Sequence, residues 1–231
     1  MIKNEIYAQV EYVSPLTDTV LQYILKPEKY ISYLAGQYLR LKLGKEYYSY
    51  SIANAPLGSQ RYELHIRHSR ENINNQKLLD EMKHSGGIFL DIPYGNCVLA
   101  RLSLDKPIIF VAAGSGFAPI KAMLEQLFAD GHNRPLKLFW GVRSQSDLYM
   151  KDKLLNWQES MNQFSYTTCL SESSEISLTS MVIKQKEFDL RNSQIVMSGP
   201  FDLIYKIRDF LVCDGAKKDN IFADAFSFEK E

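Results

Sequence analysis

The chain has 231 residues, of which 45% are hydrophobic and 23% charged, and its 27 basic and 27 acidic side chains give a formal net charge of zero. This composition is typical of a globular protein with one or two domains. A chain without net charge has no general attraction for nucleic acid or for an anionic membrane surface, so we expect neither as a partner.

The cysteines and the first residues indicate where such a chain works. Cys97, Cys169 and Cys213 are far apart and form neither a zinc-binding nor an iron–sulfur pattern, so we expect no metal. Free thiols are typical of a cytoplasmic protein. Charged residues interrupt positions 1–13, which is unlike a signal peptide, and no apolar run has the length of a membrane span. We therefore expect a cytoplasmic location.

The first hundred residues contain short alternating runs that predict β-strands. One helix is predicted among them at residues 76–83, capped by Asn74 and ended by Gly86 and Gly87. Short strands at this spacing favour a small antiparallel β-barrel, which we assign to residues 1–102. The predicted strands are residues 6–13, 20–25, 38–43, 47–52, 62–67 and 89–92.

From residue 103 onward, predicted strands alternate with predicted helices, which is the pattern of a doubly wound parallel sheet with helices on both faces. The strands are residues 108–112, 137–141, 166–170, 194–197 and 221–226. The helices are residues 119–129, 148–161, 178–186 and 201–213. We therefore predict two domains, an antiparallel β-barrel at 1–102 and an α/β domain at 103–231.

The motif that carries most functional information is Gly114-Ser115-Gly116, which joins a buried strand to a helix that starts near Phe117 and Pro119. Glycines let the backbone approach an anion, and a helix N-terminus offers free N–H groups to a phosphate. The motif is not a full dinucleotide fingerprint, because Pro119 stands at the third glycine position, and it is not a Walker loop. A tight structural turn is the alternative interpretation.

Three further strand ends carry small or polar residues. The carboxyl ends of parallel strands meet at one edge of a sheet, where open α/β domains bind their ligands. We therefore predict that these ends line a nucleotide-binding crevice together with the glycine motif. The residues are Gly141 and Arg143, Ser171 and Glu172, and Ser198, Gly199 and Pro200.

Taken in order, these motifs resemble the ferredoxin–NADP reductase superfamily, and within it the bacterial NAD(P)H–flavin oxidoreductases. The resemblance covers nearly the whole chain. Residues 35–39 match a strand of the flavin domain, and residues 48–51 fall where the family has an R-x-Y-S motif. Residues 113–117 match the nicotinamide-domain loop, and residues 140–143 and 221–226 match further family landmarks.

The resemblance implies a cofactor pair, NADH or NADPH and a flavin (riboflavin, FMN or FAD), with hydride passing from nicotinamide C4 to flavin N5. Ser51 is the implied catalytic residue beside N5. Tyr38, Tyr48, Tyr50, Ser51 and Phe226 are the implied flavin contacts, with Phe228 also near the flavin. The implied nicotinamide nucleotide contacts are Gly114, Ser115, Gly116, Phe117, Pro119, Gly141, Arg143, Ser171, Glu172, Gly199 and Pro200.

One residue departs from the family motif, because Tyr48 stands where the family has the arginine that contacts the flavin phosphate. Without that contact, worth about 1.5–3 kcal/mol, the enzyme is expected to treat flavin as a substrate and release it reduced. Arg67 or Arg70 is a candidate replacement. Glu172 replaces the arginine that holds the 2′-phosphate in NADP-preferring relatives, which favours NADH.

Two alternatives stay open at this point. The first is a reductase with bound FAD that passes electrons to a separate oxygenase or iron–sulfur protein. The second is a nucleotide-binding module without turnover. For a free-flavin reductase, the expected downstream partners are a flavin-dependent monooxygenase or ferric chelates.

Overall fold

The first sheet of the computed structural model, which describes residues 5–68 and 72–228, has six antiparallel strands in the order β4-β3-β6-β1-β2-β5. They are β1 (Glu5–Pro15), β2 (Val20–Pro27), β3 (Tyr38–Leu43), β4 (Glu46–Ser51), β5 (Tyr62–Arg67) and β6 (Gly87–Tyr94). The edge strands β4 and β5 approach each other just after Ser51, where Ile52 forms an isolated bridge with Leu64. The predicted antiparallel barrel is confirmed in outline, although it is open because its edges form no continuous ladder.

The helix α1 (Ile73–Ser85) packs Leu78 and Met82 into the core of this barrel. Its N-cap is Asn72, whose side chain accepts a hydrogen bond from the N–H of Asn75. The predicted cap at Asn74 is therefore wrong, because the helix begins three residues earlier than its apolar pattern indicates. The predicted end is confirmed, since Gly86 has the left-handed conformation that stops a helix.

The second sheet has five parallel strands in the order β11-β10-β7-β8-β9. They are β7 (Ile108–Ala113), β8 (Leu136–Val142), β9 (Phe164–Leu170), β10 (Gln194–Ser198) and β11 (Ile221–Phe222). The helices α2 (Phe117–Ala129) and α3 (Lys151–Ser160) cover one face, and α4 (Leu178–Lys184) and α5 (Phe201–Cys213) cover the other. The predicted doubly wound α/β domain is confirmed.

The central strand β7 shows why its sequence is a continuous apolar run. Ile108 and Phe110 point into the core beneath α2 and α3, whereas Ile109 and Val111 point into the core beneath α4 and α5. A strand buried on both faces needs apolar residues at every position. The predicted division at residue 102 lies in the connection between Tyr94 and Ile108, and as a domain boundary it stays a prediction.

Two predicted elements differ from the structure. The last strand ends at Phe222 rather than residue 226, because the chain turns into a 3-10 helix (Asp224–Phe228) in which the Asp224 carboxylate accepts a hydrogen bond from Cys97. The helix predicted from residue 148 begins at Lys151, because a capping box between Ser144 and Asp147 closes a separate turn first. Within residues 5–68 and 72–228, no helix is long and apolar enough to cross a membrane.

Candidate active site

The glycine motif lies where two neighbouring parallel strands, β7 and β10, end side by side. A Cβ atom on Gly116 would lie 2.3 Å from the carbonyl oxygen of Ser198, so only glycine permits this approach of the two loops. Gly114 has φ +55°, a left-handed conformation that other residues adopt only with strain. Its carbonyl accepts a hydrogen bond of 3.0 Å from the indole N–H of Trp140. The loop is therefore fixed in shape before any ligand binds.

A large open cavity, the nucleotide cavity, lies at this edge of the sheet, with a volume of about 670 Å³. Most of the predicted nucleotide contacts line it. Two barrel residues, Ser51 and Arg67, close it from the other domain. The predicted residues that it brings together are Gly114, Ser115, Gly116, Gly141, Arg143, Ser171, Gly199 and Pro200.

A smaller cavity of about 280 Å³ continues past Arg67 and Arg143 and contains Glu172. The Arg143 guanidinium lies 2.7 Å from the Glu172 carboxylate, and both side chains are largely exposed. An exposed pair of this kind is weakly held in water. Arg143 is therefore free to exchange this partner for a ligand phosphate.

A second site, the barrel-side cavity, lies between the two domains, with a volume of about 220 Å³. Tyr38, Ser49 and Ser51 form its barrel wall, and Pro119 and Met123 are part of the opposite wall. Pro119, a predicted nucleotide contact, therefore lines the barrel-side cavity and not the nucleotide cavity. Phe117, another predicted nucleotide contact, is fully buried, and its ring stacks on that of Trp140 with 4.2 Å between the ring centroids.

The two cavities share three lining residues, Ser51, Ser198 and Gly199. Ser51 ends β4, Ser198 ends β10 and Gly199 follows it, so the shared point joins the barrel to the glycine-rich edge of the second sheet. A ligand in one cavity and a ligand in the other would therefore meet beside the Ser51 side chain.

Asp224 is a residue of the barrel-side cavity that the sequence analysis missed. Burial raises the pKa of its carboxyl to about 6, although hydrogen bonds from the backbone N–H groups of Cys97 and Asn96 oppose the shift. Such a carboxyl is able to exchange a proton near neutral pH. The available signal was a single charge inside the apolar run from Ile221 to Phe226.

Tyr48 and Tyr50 lie on the inner face of the barrel, opposite the buried residues Leu41 and Leu39. The Tyr50 hydroxyl donates a 2.6 Å hydrogen bond to Asn75. In the described part of the chain, neither tyrosine is among the residues that line the two cavities. Their predicted contacts with flavin therefore stay predictions.

The C-terminal aromatic residues divide between two environments. Phe228 lines the barrel-side cavity and is half exposed, with its ring 5.5 Å from that of Phe201. Phe226 packs against Tyr205 instead, and its predicted flavin contact stays a prediction. Of the two candidate arginines, Arg67 lines the nucleotide cavity and Arg70 lies outside the described residues.

Two of the three cysteines, Cys97 and Cys169, are buried, whereas Cys213 is exposed. Burial raises the pKa of the Cys97 thiol, so it is a neutral group in the cavity wall. Across residues 5–68 and 72–228, no group of three or more His, Cys, Asp or Glu side chains is arranged to hold a metal ion.

Comparisons with known proteins give three results. Residues 110–209 match the model of the oxidoreductase NAD-binding domain. The chain is 27% identical over 234 residues to an NAD(P)H-flavin reductase of Aliivibrio fischeri, and the alignment covers 96% of this chain and 99% of the relative. It is 26% identical to the reductase component of propane 2-monooxygenase from Gordonia sp. (strain TY-5), over 97% of this chain and 68% of that one.

Among solved structures, a ferredoxin NADP⁺ reductase from Neisseria gonorrhoeae with bound FAD and NADP has a similar fold. Its TM-score is 0.80 at 18% identity, and the match covers 91% of this chain and 92% of that one.

Proposed function

Because the chain belongs to the bacterial NAD(P)H–flavin reductases of the ferredoxin–NADP reductase superfamily, we propose that it oxidises NAD(P)H and delivers the hydride to a flavin that it binds as a substrate and releases reduced. It is an NAD(P)H-dependent flavin reductase. The observation that carries the proposal is the meeting of two cavities at Ser51, Ser198 and Gly199.

The barrel-side cavity fits a flavin ring. Tyr38 offers an aromatic surface, and Ile120 and Met123 offer an apolar wall for the flat faces of the ring. Ser51 and Asp224 supply polar groups for its edge. The nucleotide cavity has the glycine motif for a pyrophosphate, with Arg67 and Arg143 as countercharges.

Tyr38, Ser51 and Asp224 would hold a flavin in the barrel-side cavity, and that flavin would supply the acceptor for the hydride of a nicotinamide in the nucleotide cavity. Ser51 offers a hydroxyl at the point where the two ligands meet, and in that position it stabilises the developing charge. Asp224, with its pKa near 6, is positioned in the cavity wall to hold or release a proton. The fixed glycine loop keeps the nucleotide in a productive orientation and helps to exclude water.

Release of the flavin is supported by the charges around the barrel-side cavity. Tyr48, at the family arginine position, lies on the inner face of the barrel. Arg40, on the outer face of β3, is held 2.7 Å from the carboxylate of Asp91 and against the ring of Tyr94. Because Asp91 and Tyr94 already engage the Arg40 guanidinium, little positive charge remains there to bind a flavin phosphate.

A preference for NADH is supported by Glu172. Its carboxylate repels a 2′-phosphate and suits a ribose diol. The ion pair between Glu172 and Arg143 reduces this repulsion. The proposal is therefore that the enzyme uses both nucleotides and prefers NADH.

A second candidate function is favoured by the similarity to a propane 2-monooxygenase reductase component. In this second function, the chain keeps its flavin bound and passes electrons to a separate oxygenase.

If the chain instead releases reduced flavin, as first proposed, the proposed acceptor is a flavin-dependent monooxygenase or a ferric chelate. The predicted cytoplasmic location stays a prediction.

The test is NADH oxidation by the purified protein with and without added riboflavin, FMN or FAD. We expect oxidation that saturates with added flavin. Ser51→Ala should lose about 100-fold in kcat, because one stabilising donor at a developing charge is worth this much. Ser160→Ala, at an exposed serine that ends α3 away from both cavities, is the matched control, and its kcat should stay near the wild-type value.

Flavin that stays bound through purification and turns over without added flavin would favour the second candidate. No oxidation with any flavin and either nucleotide would refute both.

A further inference from the structure

A lysine on the nucleotide side of the molecule is buried in the boundary between the two domains. Lys121 lies on α2 and is only 3% exposed. Its ammonium group lies 2.9 Å from the Glu63 carboxylate of the barrel and 3.0 Å from Glu125, and donates a 2.9 Å hydrogen bond to the carbonyl of Ala53. Lysine is almost never buried unless it is paired, and here its three N–H groups match three acceptors.

The partners of Lys121 come largely from the barrel. Glu63 on β5 is 8% exposed and also accepts hydrogen bonds from Gln22 at 2.7 Å and from His65 at 2.8 Å. Burial by itself would raise the pKa of Glu63, but His65 and Lys121 outweigh it and hold this pKa well below its usual value. Glu63, His65, Lys121 and Glu125 therefore form one buried network, the interdomain ion cluster.

The cluster contacts the barrel side of the active site through the backbone. Ala53, which accepts from Lys121, is two residues after Ser51. The next small residue, Ala55, donates its N–H to Glu125 at 3.1 Å. The segment that leads away from Ser51 is therefore held by two side chains of α2.

The cluster also reaches the glycine loop. α2 itself begins directly after Gly116. Along a second route, the Tyr149 hydroxyl lies 3.2 Å from a ring nitrogen of His65, and the Tyr149 ring packs edge-on against Trp140 at 5.1 Å. Trp140 in turn donates to the carbonyl of Gly114.

We propose that Lys121 is a positioning residue, which with Glu63 fixes the distance between Ser51 and the glycine loop and thereby sets the approach of the nicotinamide to the flavin. The inference rests on the proposed function. A buried ion pair adds little net stability compared with apolar residues, but its directed hydrogen bonds allow one geometry only. Hydride transfer requires such a geometry, because a displacement of about 1 Å costs up to about 100-fold in rate.

The test variant is Glu63→Gln/Lys121→Met, which removes both charges at similar volume. Glu125 keeps its second ion pair, with Lys153, so no buried charge is left unpaired. We expect kcat to fall about 10-fold or more, with KM for NADH changed less than about 2-fold, since the nucleotide contacts are untouched. Lys137→Met is the matched control. Lys137 is also a buried lysine, 5% exposed, but its partner Glu187 belongs to the same domain. Its kcat should stay within about 2-fold of wild type.

A second measurement reports geometry rather than activity. Cys213 is exposed on α5, while Cys97 and Cys169 are buried, so a spin label on Cys213 and another on Lys45→Cys in an exposed barrel turn span the two domains. The distance distribution between the labels should be narrow in the wild type and in Lys137→Met. It should broaden in Glu63→Gln/Lys121→Met. Lys121→Arg, which keeps the charge, should restore a narrow distribution and most of kcat.

An unchanged distance distribution or an unchanged kcat in the double variant overturns the proposal, and so does an equal loss in Lys137→Met. If the double variant does not fold, Glu63→Gln decides, because it removes the charge that crosses between the domains and leaves Lys121 paired with Glu125. A distance distribution and a kcat equal to those of the wild type would then refute the role of the pair. A wild-type protein that is inactive with every flavin refutes the proposed function instead, and the labels still report whether the cluster sets the domain geometry.

Discussion

The carboxyl group of Asp224 provides a quantitative test of the barrel-side cavity. Burial raises its pKa from the reference value of 3.8 to about 6 in the folded protein. A shift of about 2 pKa units corresponds to about 3 kcal/mol. Because the folded state holds the proton more tightly than the unfolded chain, the stabilisation is complete below about pH 4 and is lost as the pH rises through about 6.

Asp224→Asn removes the ionisation and keeps an oxygen that accepts from Cys97. The free energy of unfolding of the variant, relative to wild type, should therefore rise by about 3 kcal/mol between pH 3.5 and pH 8. Urea unfolding at a series of pH values measures this difference. Asp214→Asn, at an exposed position after α5, controls for the change in net charge. A difference that is constant with pH, or that falls toward high pH, would refute a buried and weakly acidic carboxyl.

Three further substitutions test other parts of the site. Gly116→Ala places a Cβ against the Ser198 carbonyl, so it should destabilise the protein by about 1–3 kcal/mol in urea unfolding and raise KM for NADH. Glu172→Gln removes the charge opposed to a 2′-phosphate and should raise the NADPH-to-NADH ratio of kcat/KM about 10-fold; an unchanged ratio would exclude Glu172 from nucleotide selection. Tyr50→Phe loses the hydrogen bond to Asn75 and should cost about 1 kcal/mol of stability, and a large loss of flavin affinity instead would mean that Tyr50 contacts the flavin directly.

Local patterns in the sequence determined most of the secondary structure. The alternation in residues 38–43 predicts β3 with its observed ends, because outward Arg40 and Lys42 alternate with buried Leu39 and Leu41. The glycine motif likewise predicts a tight strand-to-helix turn, because only glycine fits the left-handed φ of Gly114 and the close approach at Gly116. These features depend on residues that are close together in the chain, so they can be predicted from the sequence alone.

The last strand, β11, and the 3-10 helix that follows it show where the local sequence pattern is insufficient to predict the structure. Residues 221–226 have strand character, yet β11 pairs with β10 only at Ile221 and Phe222. The chain then turns so that Asp224 meets the backbone N–H of Cys97, which is 127 positions earlier in the sequence. Only the packing of the two domains creates the burial that raises the pKa of this carboxyl and the hydrogen bond from Cys97 that opposes the shift.

The sequence by itself determined the two sheets, the glycine loop and the presence of Ser51 at the end of a barrel strand. Tertiary structure alone decided that Tyr50 points inward, that Ser51 joins two cavities, and that Lys121 is buried against Glu63. The physical reason is that strand and helix periods are set by residues a few positions apart. Burial and electrostatic environment are set by the contact of elements that are distant in the chain, such as α2 and β5.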